Sequence, residues 1–402
     1  MPKQLGSLGL RPMNFDIFAG LDVDKRSISI TFMDHQDMIQ HMRIPYNADN
    51  LVNYVRRHFG EKKVIFAYEA GPTGYGLHDR LTGQGCSCLV APPSTIPKVP
   101  GRRVKTNRLD SKKMAELLRG GQLKSIHVPS LPYRHLRHLT QLRDVLGRQV
   151  QSSKMRIKSL LLFEGIAFPD PGGKWSGRVI GQLRELPCGE AIRFRLDHLL
   201  ANLEFQQKQV LQTLRQIRRF CRQDPELSRC IQYLISLPGI GWIVASQVLA
   251  RVGDWRELGN VRQMSAFLGL VPTENSTGET VRRGSITRAG NPRLRSKLIQ
   301  SAWVAIRRDA ELREFFERIY RRHPADCGAR KAIVAVARKL TSRIYAVLHE
   351  QRPFVLRRPL AAREASLRER LDASQKLGEE RMPQVSSPRQ RSRGFGPKKG
   401  RI

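Results

Sequence analysis

The sequence predicts an α/β fold joined to a largely helical part, and three patterns carry that prediction. Residues 15–91 set short apolar runs between turn residues, as strands do, and interleave helical stretches among the later runs. Residues 132–217 place aliphatic side chains at intervals of three and four. Beyond residue 229 the helical patterns are punctuated by glycine and proline. A mixed sheet, a long helical coiled-coil segment and a mostly helical C-terminal domain with a helix-hairpin-helix are expected.

In the first region IFAGLDV, SISITFMD and MIQHMRIPY read as strands, with Asp34-His35-Gln36-Asp37 turning the chain between the last two. Three neighbours of this kind predict an antiparallel meander. Asn50 to Phe59 reads as an amphipathic helix, KKVIFAYEA as a buried strand, GYGLHDRLTGQG as a helix ending in glycine and CSCLVAPP as another strand. Strand runs followed by strand-helix alternation give a mixed sheet flanked by helices. A basic, proline-rich segment to Lys105 precedes a helix over Asn107 to Leu118, with Asn107 near its cap.

Pro132 to Glu164 and the stretch carrying Leu196, Leu200, Leu203, Val210, Leu214 and Ile217 are the long helices, separated by a Pro/Gly-rich break at 169–173. They can pair as an antiparallel hairpin or join two protomers. Arg and Lys on their outward faces could carry RNA or DNA, or only solvate the helices. Further helices are expected over Arg293 to Arg308, Ala310 to Tyr320 and Ala329 to Glu350. The divisions are residues 15–128, 129–228 and 229–354, followed by a basic, disordered tail over 355–402.

One stretch, Leu234 to Asn291, concentrates the candidate chemistry. An apolar run ends at Leu237, the turn Pro238-Gly239-Ile240-Gly241 follows, and Trp242, Ala245, Val248 and Leu249 then recur at helical spacing. Glycines there permit positive φ and leave the next helix's first N–H groups uncovered, which suits a DNA phosphate. A tight corner has the same pattern. Further on, Ser276 and Thr277 precede Gly278, and Arg282, Arg283 and Arg288 follow, so a hydroxyl nucleophile could sit among cations able to hold a phosphodiester. A Ser-Thr-Gly in a polar loop is also an ordinary turn.

Composition narrows the partner. Lys plus Arg number 71 against 35 Asp plus Glu, a net charge of +36, and so large an excess repels itself unless a polyanion neutralises it. Nucleic acid is the expected polyanion. The 40% hydrophobic content argues against wholesale disorder. Six cysteines show no ligand or CxxC spacing, so neither zinc nor a disulfide framework is expected. No apolar run has the length of a membrane span and the N-terminus lacks a signal-peptide core, so a soluble, cytoplasmic protein is expected.

Three carboxylates stand out against this basic background. Asp22 ends the first strand, Glu69 ends VIFAYE, and Asp110 follows Asn107 by three positions on one helix face. Acids delivered to one end of a sheet are what a two-magnesium phosphoryl-transfer site requires, although single acids at strand ends are usually just solvated. GLDVDK also suits the phosphate loop of an actin-like sugar kinase, but the second, glycine-rich phosphate loop of such a kinase is not visible.

GLDVDK with Asp22, AYEAGPTGYG with Glu69, VKTNRLDSKKMAELL with Asp110, SLPGIG, and LGLVPTENSTGETVRRGSITRAGNPRLR together resemble the DEDD-type insertion-sequence transposases. The likeness runs from about Phe15 to Phe354. It implies an RNase H/RuvC-like first domain and a separate serine-bearing transposase domain. By that resemblance Asp22, Glu69, Asn107 and Asp110 hold Mg2+, a serine forms a covalent phosphoserine link to DNA, a structured RNA guides the reaction, and homo-oligomers, dimers or tetramers, bring the two sites together. The chain departs from the pattern twice. Asn107 stands where the family has Asp, which removes a negative charge and predicts weaker metal affinity. Counting back from Gly278, the family's serine falls on Thr277; Ser276 becomes the nucleophile only through a one-residue shift in a flexible loop. The leading expectation is a DNA transposase. A junction nuclease using water and a decayed, non-catalytic nucleic-acid-binding protein are the rivals.

Overall fold

Alternation decides the first layer. In the computed structural model, which describes residues 11–97, 106–277, 280 and 282–356, β1 (Ile17–Val23), β2 (Ser27–Met33) and β3 (Met38–Pro45) form the expected antiparallel meander. Helix α1 (Ala48–Phe59) then returns the chain so that β4 (Val64–Glu69) lies parallel to β1. After α2 (Gly76–Gly83), β5 (Ser87–Ala91) adds in parallel to β4, giving the order β3-β2-β1-β4-β5. Such a mixed sheet covered by helices on both faces is the arrangement expected of an RNase H-like domain.

The two faces of β1 bury different partners. Ile17, Ala19 and Leu21 pack with Leu51 and Val55 of α1 and Leu77 and Leu81 of α2. Phe18 turns the other way, toward Met114, Ala115 and Leu118 of α3 (Asn107–Arg119). Gly20 shares that second face, and a Cβ there would stand 2.2 Å from the Ser111 carbonyl and 2.3 Å from the Ala115 nitrogen. Helix α3 therefore lies backbone to backbone on β1 because residue 20 has no side chain. Buried hydroxyls reinforce the contact, Thr31 Oγ1 lying 2.9 Å from Ser111 Oγ.

The long helices α4 (Leu131–Phe163) and α6 (Glu190–Gln223), with α5 (Gly177–Glu185) between them, pair within the chain. Tyr133 donates to Glu226 beyond one end, and Ser153 donates to Gln206 further along at 2.9 Å, so the two run antiparallel. Ile157, Leu160 and Leu161 bury against Leu196, Leu200 and Leu203. Within the chain these faces form the antiparallel hairpin.

A third core gathers α7 (Pro225–Ile235), α8 (Trp242–Val252), α9 (Val261–Phe267), α10 (Pro292–Ala305), α11 (Ala310–Tyr320) and α12 (Ala325–His349), with the hairpin of β6 (Pro272–Glu274) and β7 (Arg283–Ile286) between α9 and α10. Tyr133 and Leu136 of α4 and Ile217 and Cys221 of α6 enter it, so the long pair is rooted in the C-terminal core. The sheet joins this assembly through polar contacts. Arg134 forks onto Asp79 at 2.7 and 2.9 Å, and His127 Nδ1 lies 3.5 Å from a Glu257 carboxylate oxygen. No helix among the described residues is long and apolar enough to cross a membrane. The basic, proline-rich segment before residue 106 and the tail expected to be disordered lie almost wholly outside the described residues.

Candidate active site

Strand register sets the carboxylates. Leu21 pairs with Tyr68 across parallel strands, so Asp22 and Glu69 are the next residues of β1 and β4 at the same end of the sheet. Alternation then decides which way they face. Phe18 and Gly20 lie under α3, as do Ile65 and Ala67 of β4, so Asp22 and Glu69 belong to the α3 face as well. Asp110 sits in the first turn of α3, one residue before the Ser111 carbonyl that rests on Gly20. Asp22 and Asp110 are half-buried and Glu69 is exposed. One edge and one face thus receive acids from two strands and a helix.

The helix that delivers Asp110 is capped by Thr106, whose hydroxyl accepts from the Leu109 N–H at 3.3 Å. Asn107 is left free for another task, and its amide nitrogen donates to the Asp24 carboxylate at 2.5 Å. That bond uses the amide nitrogen and leaves the amide oxygen, the atom expected to meet a cation, unengaged by it. Asp24 is two residues beyond Asp22, and its carboxylate accepts the amide N–H in a charge-assisted hydrogen bond. Sequence reasoning passed over Asp24, although the alternation of GLDVDK puts it on the side of Asp22.

The donor set is that of a hard divalent cation, with three carboxylates and a fourth beside them. Among the described residues, however, no three His, Cys, Asp or Glu side chains converge closely enough to hold a metal ion. The backbone brings Asp22, Glu69 and Asp110 to one end and one face of the sheet, with Asp24 bound to Asn107 beside them.

The hydroxyls occupy a different setting. Asn275 N–H donates to the Arg282 carbonyl at 2.9 Å, and Thr277 and Thr280 exchange backbone hydrogen bonds of 3.2 and 3.1 Å, so the β6-β7 ladder continues almost to the tip. Ser276 and Thr277, expected in a loop, thus lie in the described part of this pairing, and residues 278, 279 and 281 lie outside the described residues. Successive residues of a ladder face opposite sides, so a shift from 277 to 276 changes the face presented and not merely the position. Ser276 donates to Glu274 Oε1 at 3.1 Å, an interaction not anticipated from the sequence. Ser276, Thr277, Arg282 and Arg288 are all exposed. Gly278 and the Arg283 side chain lie outside the described residues.

Arg288 takes φ +55°, a left-handed conformation rare outside glycine, and its neighbours hold it there. A Cβ on Gly290 would stand 2.0 Å from the Phe267 carbonyl, and one on Gly269 would stand 1.9 Å from the Ala289 carbonyl. Buried Arg295 donates to the Leu268 and Ala289 carbonyls, both at 3.1 Å, clamping the two segments together.

At the turn Pro238-Gly239-Ile240-Gly241 only part of the expectation holds. Gly239 has φ +82°, but Gly241 is extended at φ −104° and caps α8 without a side chain, leaving the first N–H groups of that helix uncapped. Gly239 also has a packing role, because a Cβ there would stand 2.3 Å from the Ser301 carbonyl on α10. The turn and the hairpin both belong to the C-terminal core, whereas the carboxylate edge belongs to the sheet. Among the described residues the hairpin packs chiefly on itself, and it has no extensive packing against β1, β4 or α3.

Comparison with known proteins adds two family matches in chain order. A model described as a DEDD-type transposase matches residues 19–164, and one described as the transposase IS116/IS110/IS902 family matches residues 231–317. A Sinorhizobium fredii protein named as a transposase is 35% identical over 60% of this chain, a match spanning 58% of that relative's length. The transposase for insertion sequence element IS1111A of Coxiella burnetii is 25% identical over 66% of this chain and 72% of its own. The pilin gene-inverting protein of Moraxella bovis is 27% identical over 38% of this chain and 47% of its own. With both models falling in order and together covering more than half of the sequence, the chain belongs to the DEDD-type, IS110-family insertion-sequence transposases.

Proposed function

We propose that the chain is the recombinase of an insertion sequence, cutting and exchanging DNA strands by hydroxyl attack on a phosphodiester. The observation that carries this reading is the delivery of Asp22, Glu69 and Asp110 to one end and one face of the sheet. These residues would hold two Mg2+ ions, which when bound supply positive charge to the phosphoryl oxygens. In the exchange a Ser276 or Thr277 oxygen forms the new bond to phosphorus, and a deoxyribose oxygen leaves with the electron pair and takes up a proton. Glu274, already accepting from Ser276, supports Ser276 as the nucleophile and stands ready for the hydroxyl proton. Arg282, Arg283 and Arg288 offset charge on the phosphorane, and the uncapped N–H groups after Gly239 and Gly241 grip the neighbouring backbone as a helix-hairpin-helix does.

The lack of extensive packing between the hairpin and β1, β4 or α3 supports action as an oligomer, a dimer or tetramer in which the acids of one copy meet the hydroxyl of another. DNA of the element's ends and target is the substrate, a structured RNA the guide, and the cytoplasm the place of action. Asn107 favours a second reading, a decayed nucleic-acid-binding protein, because an amide has replaced one acid.

The test uses Ser276→Ala and Thr277→Ala proteins with labelled DNA and Mg2+, scored for covalent protein–DNA adduct. Loss in one variant alone identifies the nucleophile. Adduct in both removes the hairpin from the chemistry, and cutting without adduct in both establishes a water nuclease. The decayed-protein reading requires that titration calorimetry show no Mg2+ binding.

A further inference from the structure

Away from both candidate sites, α4, α8 and α10 press a group of cations together around one carboxylate. Arg143 Nη1 lies 3.4 Å from Asp144 Oδ1, and Gln247 donates to the same oxygen at 2.7 Å. Arg137 reaches from α4 to the end of α8, donating to the Ala250 and Arg251 carbonyls at 2.8 and 3.4 Å. Lys297 on α10 and Arg251 on α8 complete the group. Both are half-buried, and neither ammonium nor guanidinium has a hydrogen bond or ion pair among the described residues. The Arg143 Nε is buried with no partner.

Charge in this basin is out of balance. Burial and then Arg143 lower the pKa of Lys297, and burial, Arg137 and Arg293 lower that of Arg251, with Asp144 opposing in both cases. Cations gathered at partial burial repel one another, and a single carboxylate already shared with Gln247 cannot neutralise them. The arrangement calls for a second anion.

We propose that this basin binds a backbone phosphate of nucleic acid, contacted by Lys297 and Arg251, with Arg143 fixed behind them by Asp144. The inference rests on the nucleic-acid reading above and adds a site to it. Its placement suits a tracking strand. Helix α8 runs 11 residues from the Gly239–Gly241 turn to Arg251, so basin and turn lie about 15 Å apart, a span of a few nucleotides of one backbone. Two phosphates of one backbone would meet the start and the end of the same helix. Lys and Arg are the residues such a contact uses, because each neutralised phosphate releases condensed counterions.

The experiment measures binding of the full-length protein to 30-mer duplex DNA and to RNA of equal length, in EDTA, across a salt series. Lys297→Gln and Arg251→Gln are each expected to reduce the slope of log K against log salt by about 1 and to weaken binding about 5- to 10-fold at 0.1 M salt. Lys297→Arg keeps the wild-type slope. An effect with DNA alone or RNA alone assigns the phosphate to that strand, and an effect with both assigns it to either. Unchanged slopes with both overturn the proposal. Removing one crowded cation should also raise the melting temperature of the free protein, and a fall in Lys297→Gln rescued by no anion would overturn the premise. Because no metal or chemistry is involved, an altered slope without covalent adduct sinks the recombinase alone, and adduct with unaltered slopes sinks the basin alone.

Discussion

The carboxylate edge and the hydroxyl hairpin present opposite engineering. The first stands on central strands hydrogen-bonded on both sides and under a helix in backbone contact; the second stands on strands of three and four residues with exposed side chains. On the proposed reading, acids that would share a cation tolerate little displacement, and these stand on the most firmly bonded strands. On the reading proposed above, a nucleophile that would have to reach a strand brought by another molecule sits where reorientation is cheap. Only Arg288 breaks the contrast, being held in a strained backbone by two glycine contacts and the Arg295 clamp.

The largest expected effect attacks the stiff region. Gly20→Val should lift α3 from β1 and cost about 3–5 kcal/mol in denaturant unfolding, abolishing Mg2+ binding with it. A loss under 1 kcal/mol would mean that α3 is not seated as described. Gly239→Ala, which meets the Ser301 carbonyl, should cost about 2–4 kcal/mol while leaving the sheet's metal affinity intact. Asn107→Asp sharpens the comparison. It sets a second carboxylate against Asp24, so the metal-free protein should lose about 1–2 kcal/mol, whereas Mg2+ titration should show tighter binding. Equal affinity would place residue 107 outside the ligand set. Thr277→Ala on the hairpin should change stability by about 0.5 kcal/mol or less, whatever it does to chemistry.

The smallest effect concerns the joint between the regions. Burial alone would raise the pKa of Asp79, but the Arg134 fork carries it below the usual carboxylate value. A depressed carboxylate contributes stability above its unfolded pKa and loses it as pH falls through the folded one. The contribution, about 1 kcal/mol or less for so accessible a pair, should therefore decline as pH falls below roughly 4 and be absent at every pH in Asp79→Asn. Chemical unfolding at pH 7 and pH 3 reads the difference.

The sequence made the sheet legible because period-two runs and glycine-bounded helices leave local signatures, and Asp22, Glu69 and Asp110 fell where those signatures end. Asp24 escaped because spacing shows which residues share a face but not which will claim a donor such as Asn107. The strands of the hairpin are too short for periodicity to register, and its order comes from cross-strand bonds between residues such as Asn275 and Arg282. Helices α5 and α9 were hidden for the same reason, at nine and seven residues. The cationic basin draws on three helices far apart in sequence and could not be read from any one of them.

The Arg134–Asp79 fork has a mechanical meaning. Helix α4 is a rod of 33 residues, about 50 Å long, whose foot is embedded among the C-terminal helices and merely pinned to the sheet. Leverage applied at its far end, by a second protein copy or a folded nucleic acid, would swing the sheet and the C-terminal helices against each other about that pin.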